Sequence, residues 1–348
     1  MLSWLDRIDP GAHRRIKGLR LVTAFGLAAM AGRMPEVVQG FSAGEQLSVL
    51  AGGFALWASV SEAQETRLRS SRHLLLLCWG AAAGAALFAL LAPRLAMFSA
   101  YGPELVLASG AFCTGYLRRF GLLGVGLGSQ IYIGQLLGYT LALAPDDLPS
   151  IAVAGAIATV AAIVPRVLSG PAEKPALPPP LGPVHVALLP SLRPEFAMGL
   201  QAASAALAIV ALTALFDLQQ PAWAITAATY VIAGSAAGTL ERVWRRIVGT
   251  AIGVPLGLAC LPLAAEAPLL LFLGAALAMV IYAMALPERY DIACGAFAFA
   301  LVVTLAATGE HSAALLFSRA WETVLGAGLG MLAALGLLPL RPAKEKRR

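Results

Sequence analysis

Charge is scarce in this chain: only 13% of its 348 residues are Asp, Glu, Lys or Arg, about half the share of an ordinary soluble domain. There are four histidines, and His13, His73, His185 and His311 are dispersed, so no metal-ligand cluster is expected. Cys78, Cys113, Cys260 and Cys294 lack CxxC spacing and a partner histidine; they read as small packing residues. Glycine clusters such as Gly121–Gly128 follow no strand and lack the Gly-Lys-Ser/Thr of a phosphate cradle, which argues against a nucleotide cofactor. No serine has a nucleophile-elbow setting. The chain is therefore not expected to be an enzyme or to need any cofactor. The N-terminal MLSWLDRIDPGAHRRIKGLR is polar and basic with no Ala-x-Ala site after the first apolar run, so no cleavable signal peptide is expected.

What the chain does have is apolar length. Hydrophobic residues make up 59% and the mean hydropathy is +0.78. Runs of roughly 17 to 25 residues recur, enough to cross a hydrocarbon core of ~30 Å as helices, while the ten-residue alternation of a barrel is missing. The expected fold is all-α, a polytopic membrane protein of about twelve transmembrane helices. First-half spans fall at 17–33, 45–61, 73–92, 103–117, 121–143 and 149–168, and second-half spans at 195–216, 221–237, 246–264, 267–286, 291–308 and 314–339. The proline-rich SGPAEKPALPPPLGP between them is too rich in proline for helix and reads as extended. The expected division is a first six-helix repeat over 1–168, a cytoplasmic linker over 169–194, a second repeat over 195–340 and a basic cytoplasmic tail over 341–348.

The net charge of +6 and pI near 9.4 do not point to nucleic acid, because the basic residues sit in short connectors rather than on one soluble face. All of the 25 Lys and Arg except Arg33, Arg94 and Arg319 fall in connectors on one side of this span pattern. The positive-inside rule puts both termini and the linker in the cytoplasm. With six spans in each half, the halves enter the membrane in the same direction, as parallel repeats. A sequence echo agrees: Arg69, Arg72, Gly80 and Gly84 precede Arg242, Arg245, Gly253 and Gly257 at one constant interval, as a duplication would leave them.

The stretch Thr239–Gly257 joins a basic turn to an apolar helix on which Gly249, Gly253 and Gly257 recur every fourth residue. That spacing permits close helix packing. Three segments, PAWAITAATYVI (Pro221–Ile232), AAGTLERVWRRIVGTAIGVPLG, and SRAWETVLGAGLGMLAALGLLP (Ser318–Pro339), carry a family pattern: Pro-x-Trp opening a helix, a Gly-Thr...Arg...Arg-x-x-Gly-Thr-x-x-Gly hinge, and a closing Arg-x-x-x-Thr-x-x-Gly-Ala. In these the chain resembles the fusaric acid resistance family of membrane transporters, which includes aromatic carboxylic acid exporters and is distantly similar to plant malate channels. The first half keeps Arg69, Arg72 and the glycines but has Glu65-Thr66 where Gly-Thr would stand. The resemblance implies efflux across a bacterial inner membrane, with a periplasmic adaptor protein as a partner. Many members carry large cytosolic domains; this chain has only the linker and the RPAKEKRR tail.

Candidate site residues each have a structural alternative. Arg319 and Glu322 lie three apart in an apolar segment, where an unpaired arginine at mid-membrane would cost at least ~2.5 to 3.5 kcal/mol. They read either as a carboxylate-binding and proton-carrying pair or as an ion pair at the interface. Trp223, Thr226 and Tyr230 share a helix face and could hold an aromatic acid, or belong to an interfacial aromatic belt. Arg242, Arg245 and Arg246, with Arg69 and Arg72, read as a cytoplasmic funnel for anions or as topology charges that bind lipid phosphates. Gly249, Gly253, Gly257, Gly80 and Gly84 are packing residues. Ser129, Gln130, Tyr132 and Gln135 make the fifth span polar, as a pathway lining or as interhelical hydrogen bonds.

The function expected is export of small, aromatic organic acid anions driven by the proton-motive force. Within transport the alternative is a passive anion channel; outside it, a non-transporting membrane scaffold or assembly subunit. Partners are the anion and the lipid bilayer, with a homo-oligomer left open by the small-residue ridges and no nucleic acid.

Overall fold

A computed structural model of the protein describes residues 9, 12–38, 44–64, 66–169, 184–187, 189, 191–286, 288–309 and 312–342. Membrane-spanning backbone must satisfy its own N–H and C=O groups, and the apolar runs do so as helices. The first half has α1 (His13–Ala31), α2 (Gly44–Ser61), α3 (Arg67–Ala96), α4 (Gly102–Tyr116), α5 (Gly121–Thr140) and α6 (Leu148–Leu168). The second has α7 (Pro194–Phe216), α8 (Pro221–Val231), α9 (Ala236–Ala259), α10 (Pro268–Ala285), α11 (Tyr290–Ala307) and α12 (Ala313–Gly336). Each overlaps one segment read from the sequence. Among the described residues, six stretches are long and apolar enough to cross a membrane: Arg67–Ala96, Gly102–Thr140, Pro145–Leu168, Pro194–Phe216, Pro268–Ala285 and Tyr290–Ala307. The chain is a multi-pass membrane protein.

Three boundaries differ from expectation in ways that matter. The span expected over 221–237 stops at Val231, and the chain unwinds before α9 starts at Ala236. The Ser235 side chain caps α9 by accepting the N–H of Gly238 at 3.1 Å, a favourable N-cap arrangement. Arg242, Arg245 and Arg246 therefore lie inside α9 rather than in a turn before it. The same holds in the first half, where Thr66 caps α3 by accepting the N–H of Arg69 at 3.4 Å and puts Arg69 and Arg72 on a helix. In both places apolarity marks where the helix becomes hydrophobic, whereas the hydroxyl cap marks where it begins.

Beyond the proline-rich stretch, the end of the linker is a β-strand. Val184–Val186 pairs antiparallel with Leu340–Pro342, with His185 opposite Arg341, and Val186 and Leu340 are buried. A small ribbon thus ties the chain entering α7 to the chain leaving α12. Linker residues 170–183 and tail residues 343–348 lie outside the described residues.

Helix neighbours in the two halves correspond. In the first half α3 packs on α5 and α6, α2 on α6, α1 on α2 and α6, and α4 on α5; in the second α9 packs on α11 and α12, α8 on α12, α7 on α8 and α12, and α10 on α11. The halves are joined reciprocally, α4 against α7 and α10 against α1. Glycines permit the two closest matched crossings. A Cβ on Gly84 would run into the Ile131 carbonyl of α5, and one on Gly253 into the Gly295 carbonyl of α11. Gly249 lies as tightly against Asp291, Gly257 meets Val302, and Gly80 meets Leu127.

Candidate functional site

The break between α8 and α9 organises the site. α8 has eleven residues, ~16 Å at 1.5 Å per residue, about half the hydrocarbon thickness. Ile232 and Ala233, which follow it, are buried, so their peptide groups need partners within the protein. α9 supplies them: Arg242 donates to the Ile232 carbonyl at 3.3 Å, and Thr239 Oγ1 accepts the Ala233 N–H at 3.0 Å. The break is thus a short unwound segment whose buried peptide groups are held by side chains of the next helix.

Arginines converge beside this break. Arg246 donates to the Tyr290 hydroxyl at 3.2 Å and lies close enough to Tyr230 for their charges to interact. Arg118, in the short turn Leu117–Phe120 after α4, is within the same reach of Arg242 and Tyr230. These three arginines come from both halves, and all are half-buried.

From this charged end an aromatic wall runs along α8 and α11. Trp223 and Tyr230 lie seven residues apart on α8, as Tyr290 and Phe297 do on α11, so each pair covers ~10 Å of helix. Trp223 stands 6.4 Å from Phe297 between ring centroids. Phe297 also contacts Trp57 of α2 at 5.5 Å and Tyr282 of α10 at 6.2 Å. These rings are half-buried. Their first-half counterparts α2 and α5 pack on each other, whereas among the described residues α8 and α11 make no comparably extensive contact and meet through side chains. The result is a side-chain seam between α8 and α11, with guanidinium groups at one end and contacting rings along its length.

The expected site residues divide into three groups. Trp223, Tyr230, Arg242 and Arg246 are brought together here. Thr226 is close but occupied: it donates to the Ala222 carbonyl at 2.7 Å and shares a 2.7 Å hydrogen bond with Tyr132 of α5. Arg245 turns outward, donating to the Glu288 carbonyl at 2.6 Å and pairing with Glu241 at 2.6 Å, and Arg69 and Arg72 are exposed on α3. These three arginines stand on the surface because the helices begin earlier than apolarity indicates. Glu322 lies at the other end of α8, fully buried, where its Oε1 accepts the N–H of Gln220 at 2.9 Å. The Arg319 side chain lies outside the described residues.

Sequence reading missed Arg118, Tyr282, Tyr290, Phe297 and Trp57, whose convergence depends on packing between distant helices. It also missed a charged clasp in the first half. Arg166 of α6 is buried and donates to Ser70 at 2.8 Å and to the Gln64 carbonyl at 3.3 Å, while Lys17 donates to the Glu62 carbonyl at 2.8 Å. Arg20 and Glu62, both buried, are 3.8 Å apart. As at Ile232, basic side chains hold the connector between the second and third helices of the half. Outside the membrane-spanning segments, Arg14 and Glu288 join α1 to the α10–α11 loop through a 2.6 Å ion pair. The hydrogen bond and charge of Arg14 hold the Glu288 carboxyl below its ordinary range.

No curated protein and no solved structure gives a significant match to the chain. Residues 205–333, which contain α8 to α11 and with them most of this arginine and aromatic cluster, match the family model described as fusaric acid resistance protein-like, so the similarity to that family read from Pro221–Ile232, Ala236–Gly257 and Ser318–Pro339 is supported over this stretch of the second half.

Proposed function

We propose that this protein exports small aromatic carboxylate anions across a bacterial inner membrane, binding them in a cleft that opens between α8 and α11. The observation that carries the reading is the arginine set Arg118, Arg242 and Arg246 at one end of the aromatic wall. Guanidinium groups recognise carboxylates by charge-assisted hydrogen bonds. The rings of Trp223, Phe297 and Tyr282 offer stacking and edge contacts to an aromatic body. An aliphatic acid would meet the same charges but gain less from the wall.

The matching neighbour pairs and the reciprocal α4–α7 and α10–α1 contacts support two parallel six-helix repeats. In this reading the basic connectors are cytoplasmic, so the arginine end of the cleft faces inward and Glu322, with Arg319 one turn away on α12, stands towards the outside. Arg242 and Arg246 then form the inner gate, and Arg69, Arg72 and Arg245 contribute a diffuse surface field. Outward movement of a monoanion is favoured by ~2.3 kcal/mol per 100 mV of inside-negative potential, and proton uptake adds to it. A periplasmic adaptor and a second copy of the chain remain open partners.

One observation favours the scaffold reading: Tyr132, Thr226, Ser129 and Tyr230 already satisfy one another at 2.7 Å. The deciding experiment is the accumulation of labelled aromatic carboxylates in cells with and without the protein, before and after an uncoupler. Lower accumulation that the uncoupler restores supports outward transport of the anion; stimulation by a pH gradient at fixed potential then marks proton-coupled export, because a passive channel would only equilibrate the anion with the potential. Unchanged accumulation with the protein present in the membrane would overturn the transport reading.

A further inference from the structure

α5 presents Ser129, Tyr132, Gln135 and Tyr139 at intervals of three, three and four residues, one face of a helix. Each is hydrogen-bonded to a side chain of another helix. Ser129 pairs with Tyr230 and Tyr132 with Thr226, both at 2.7 Å. Gln135 donates to Ser109 at 3.0 Å, and Tyr139 donates to Glu104 at 2.9 Å. The column covers ten residues, ~15 Å along the helix, and connects the arginine end of the cleft, through Tyr230, to Glu104 in the first turn of α4.

Glu104 is the unusual member. It is 9% exposed, its Oε1 accepts from Tyr139, and its Oε2 has no hydrogen-bond partner among the described residues. No basic side chain among them pairs with it. Tyr139 faces it from α5, and Glu322 of α12 is near enough to act on the Tyr139 phenol. Arg94 at the end of α3 and Asp217 after α7 are exposed, and Tyr101 precedes α4. An isolated, unpaired carboxylate is costly to bury, and Glu104 Oε2 has no hydrogen-bond partner among the described residues to offset that cost. Glu322 is also buried and accepts the Gln220 N–H at the start of α8 through Oε1.

We propose that Glu104 is the proton-binding carboxyl of this protein, with Tyr139 fixing Oε1 and Oε2 carrying the proton. The proposal rests on the transport reading for its role in export. An O–H bond forms at Oε2 as a hydronium ion gives up its proton and becomes water; the bond breaks when the proton is returned to water on the other side. No electrons change hands. A proton moving inward and an anion moving outward both follow the inside-negative potential, and α5 carries side chains that reach both sites.

The test uses the full chain purified and reconstituted in liposomes. Infrared difference spectra taken as pH is lowered report the carbonyl band of a protonated carboxylic acid. The band is expected in the unaltered protein, absent in Glu104→Gln, and still present in Glu322→Gln. Tyr139→Phe keeps the acid but removes its hydrogen bond, so it should keep the band at a higher frequency. This second variant covers a failure of Glu104→Gln to fold. A band that survives Glu104→Gln, or one that Tyr139→Phe leaves unshifted, overturns the assignment. Flux of labelled benzoate, with protein-free liposomes subtracted, is measured in parallel, and Glu104→Gln should lose its stimulation by an imposed pH gradient. Stimulation that persists in this variant counts against the proposal. A Glu104-dependent band without benzoate flux in any variant upholds the proton site and sinks the export reading instead.

Discussion

Arg246 of α9 donates a hydrogen bond to the Tyr290 hydroxyl of α11 at 3.2 Å, and this contact sits where the glycine-packed α9–α11 crossing meets the aromatic cleft. Gly249 and Gly253 bring the two backbones together, which fixes the guanidinium beside the phenol. Packing and recognition are thus carried by successive turns of the same helix. A guanidinium bonded to a neutral hydroxyl keeps its charge and its remaining donors for a carboxylate.

Arg246→Gln is expected to weaken aromatic carboxylate binding about ten- to a hundredfold, because a hydrogen bond to a charged group contributes ~1.5 to 3 kcal/mol and each ~1.4 kcal/mol is tenfold. Arg245→Gln removes a side chain already engaged by Glu241 and the Glu288 carbonyl and should leave binding roughly unchanged, as surface pairs contribute little. Binding of a labelled acid to the purified protein checks both. Equal losses would indicate a diffuse basic field rather than a cleft.

The helices were legible because Pro, Gly and charged residues punctuate long apolar runs. The α8–α9 break was not, since Ile232, Ala233, Gly234 and Ser235 are apolar or small and leave the hydropathy continuous. Trp223, Tyr230 and the α9 arginines could be named from their spacing. Arg118 could not be separated from an ordinary topology charge, and Tyr290 and Phe297 gain meaning only when α11 is packed beside α8. Glu104 follows Gly102-Pro103 and reads as a helix-start acid; its burial against Tyr139 is a tertiary fact.

Trp223→Ala should discriminate between substrates. Aromatic pairs contribute ~0.5 to 1.5 kcal/mol beyond their area, so binding of an aromatic acid is expected to fall about two- to tenfold while an aliphatic acid of similar charge is little affected. Competition by the two acids against one labelled aromatic acid measures the ratio. A parallel loss for both acids would remove the aromatic wall from recognition.

Glu288 gives a pH-dependent expectation. Its carboxyl is held low first by the hydrogen bond from Arg14 and then by that residue's charge. A folded-state value below the unfolded one, ~4.3, means the contribution is present above the unfolded value and is lost as pH falls through the folded one. Glu288→Gln should therefore melt slightly below the unaltered protein at neutral pH, with the two curves converging under acid. The neutral-pH gap should be small and shrink with salt, because both side chains are partly exposed and screened. Thermal unfolding in detergent from pH 7 to pH 3 is the measurement; a gap that widens in acid would contradict it.

Gly253→Leu should disrupt the α9–α11 crossing, and Gly84→Leu the matched α3–α5 crossing, because each added side chain would meet a backbone carbonyl, of Gly295 and Ile131 respectively. A carbonyl within a helix cannot move aside as a flexible side chain can, so the helices must separate. Overpacking of this kind costs ~1 to 3 kcal/mol or more. Gly328 of α12 has nothing within 4 Å of an added Cβ, and Gly328→Ala is the matched control on a helix of the same bundle. Monodisperse protein recovered from membranes and its melting temperature should fall for the two crossing variants and hold for the control. If Gly253→Leu alone preserves assembly, the α9–α11 backbones are not held together as tightly as those of α3 and α5, and the arginine position that depends on that crossing is less fixed than the Arg246–Tyr290 contact indicates.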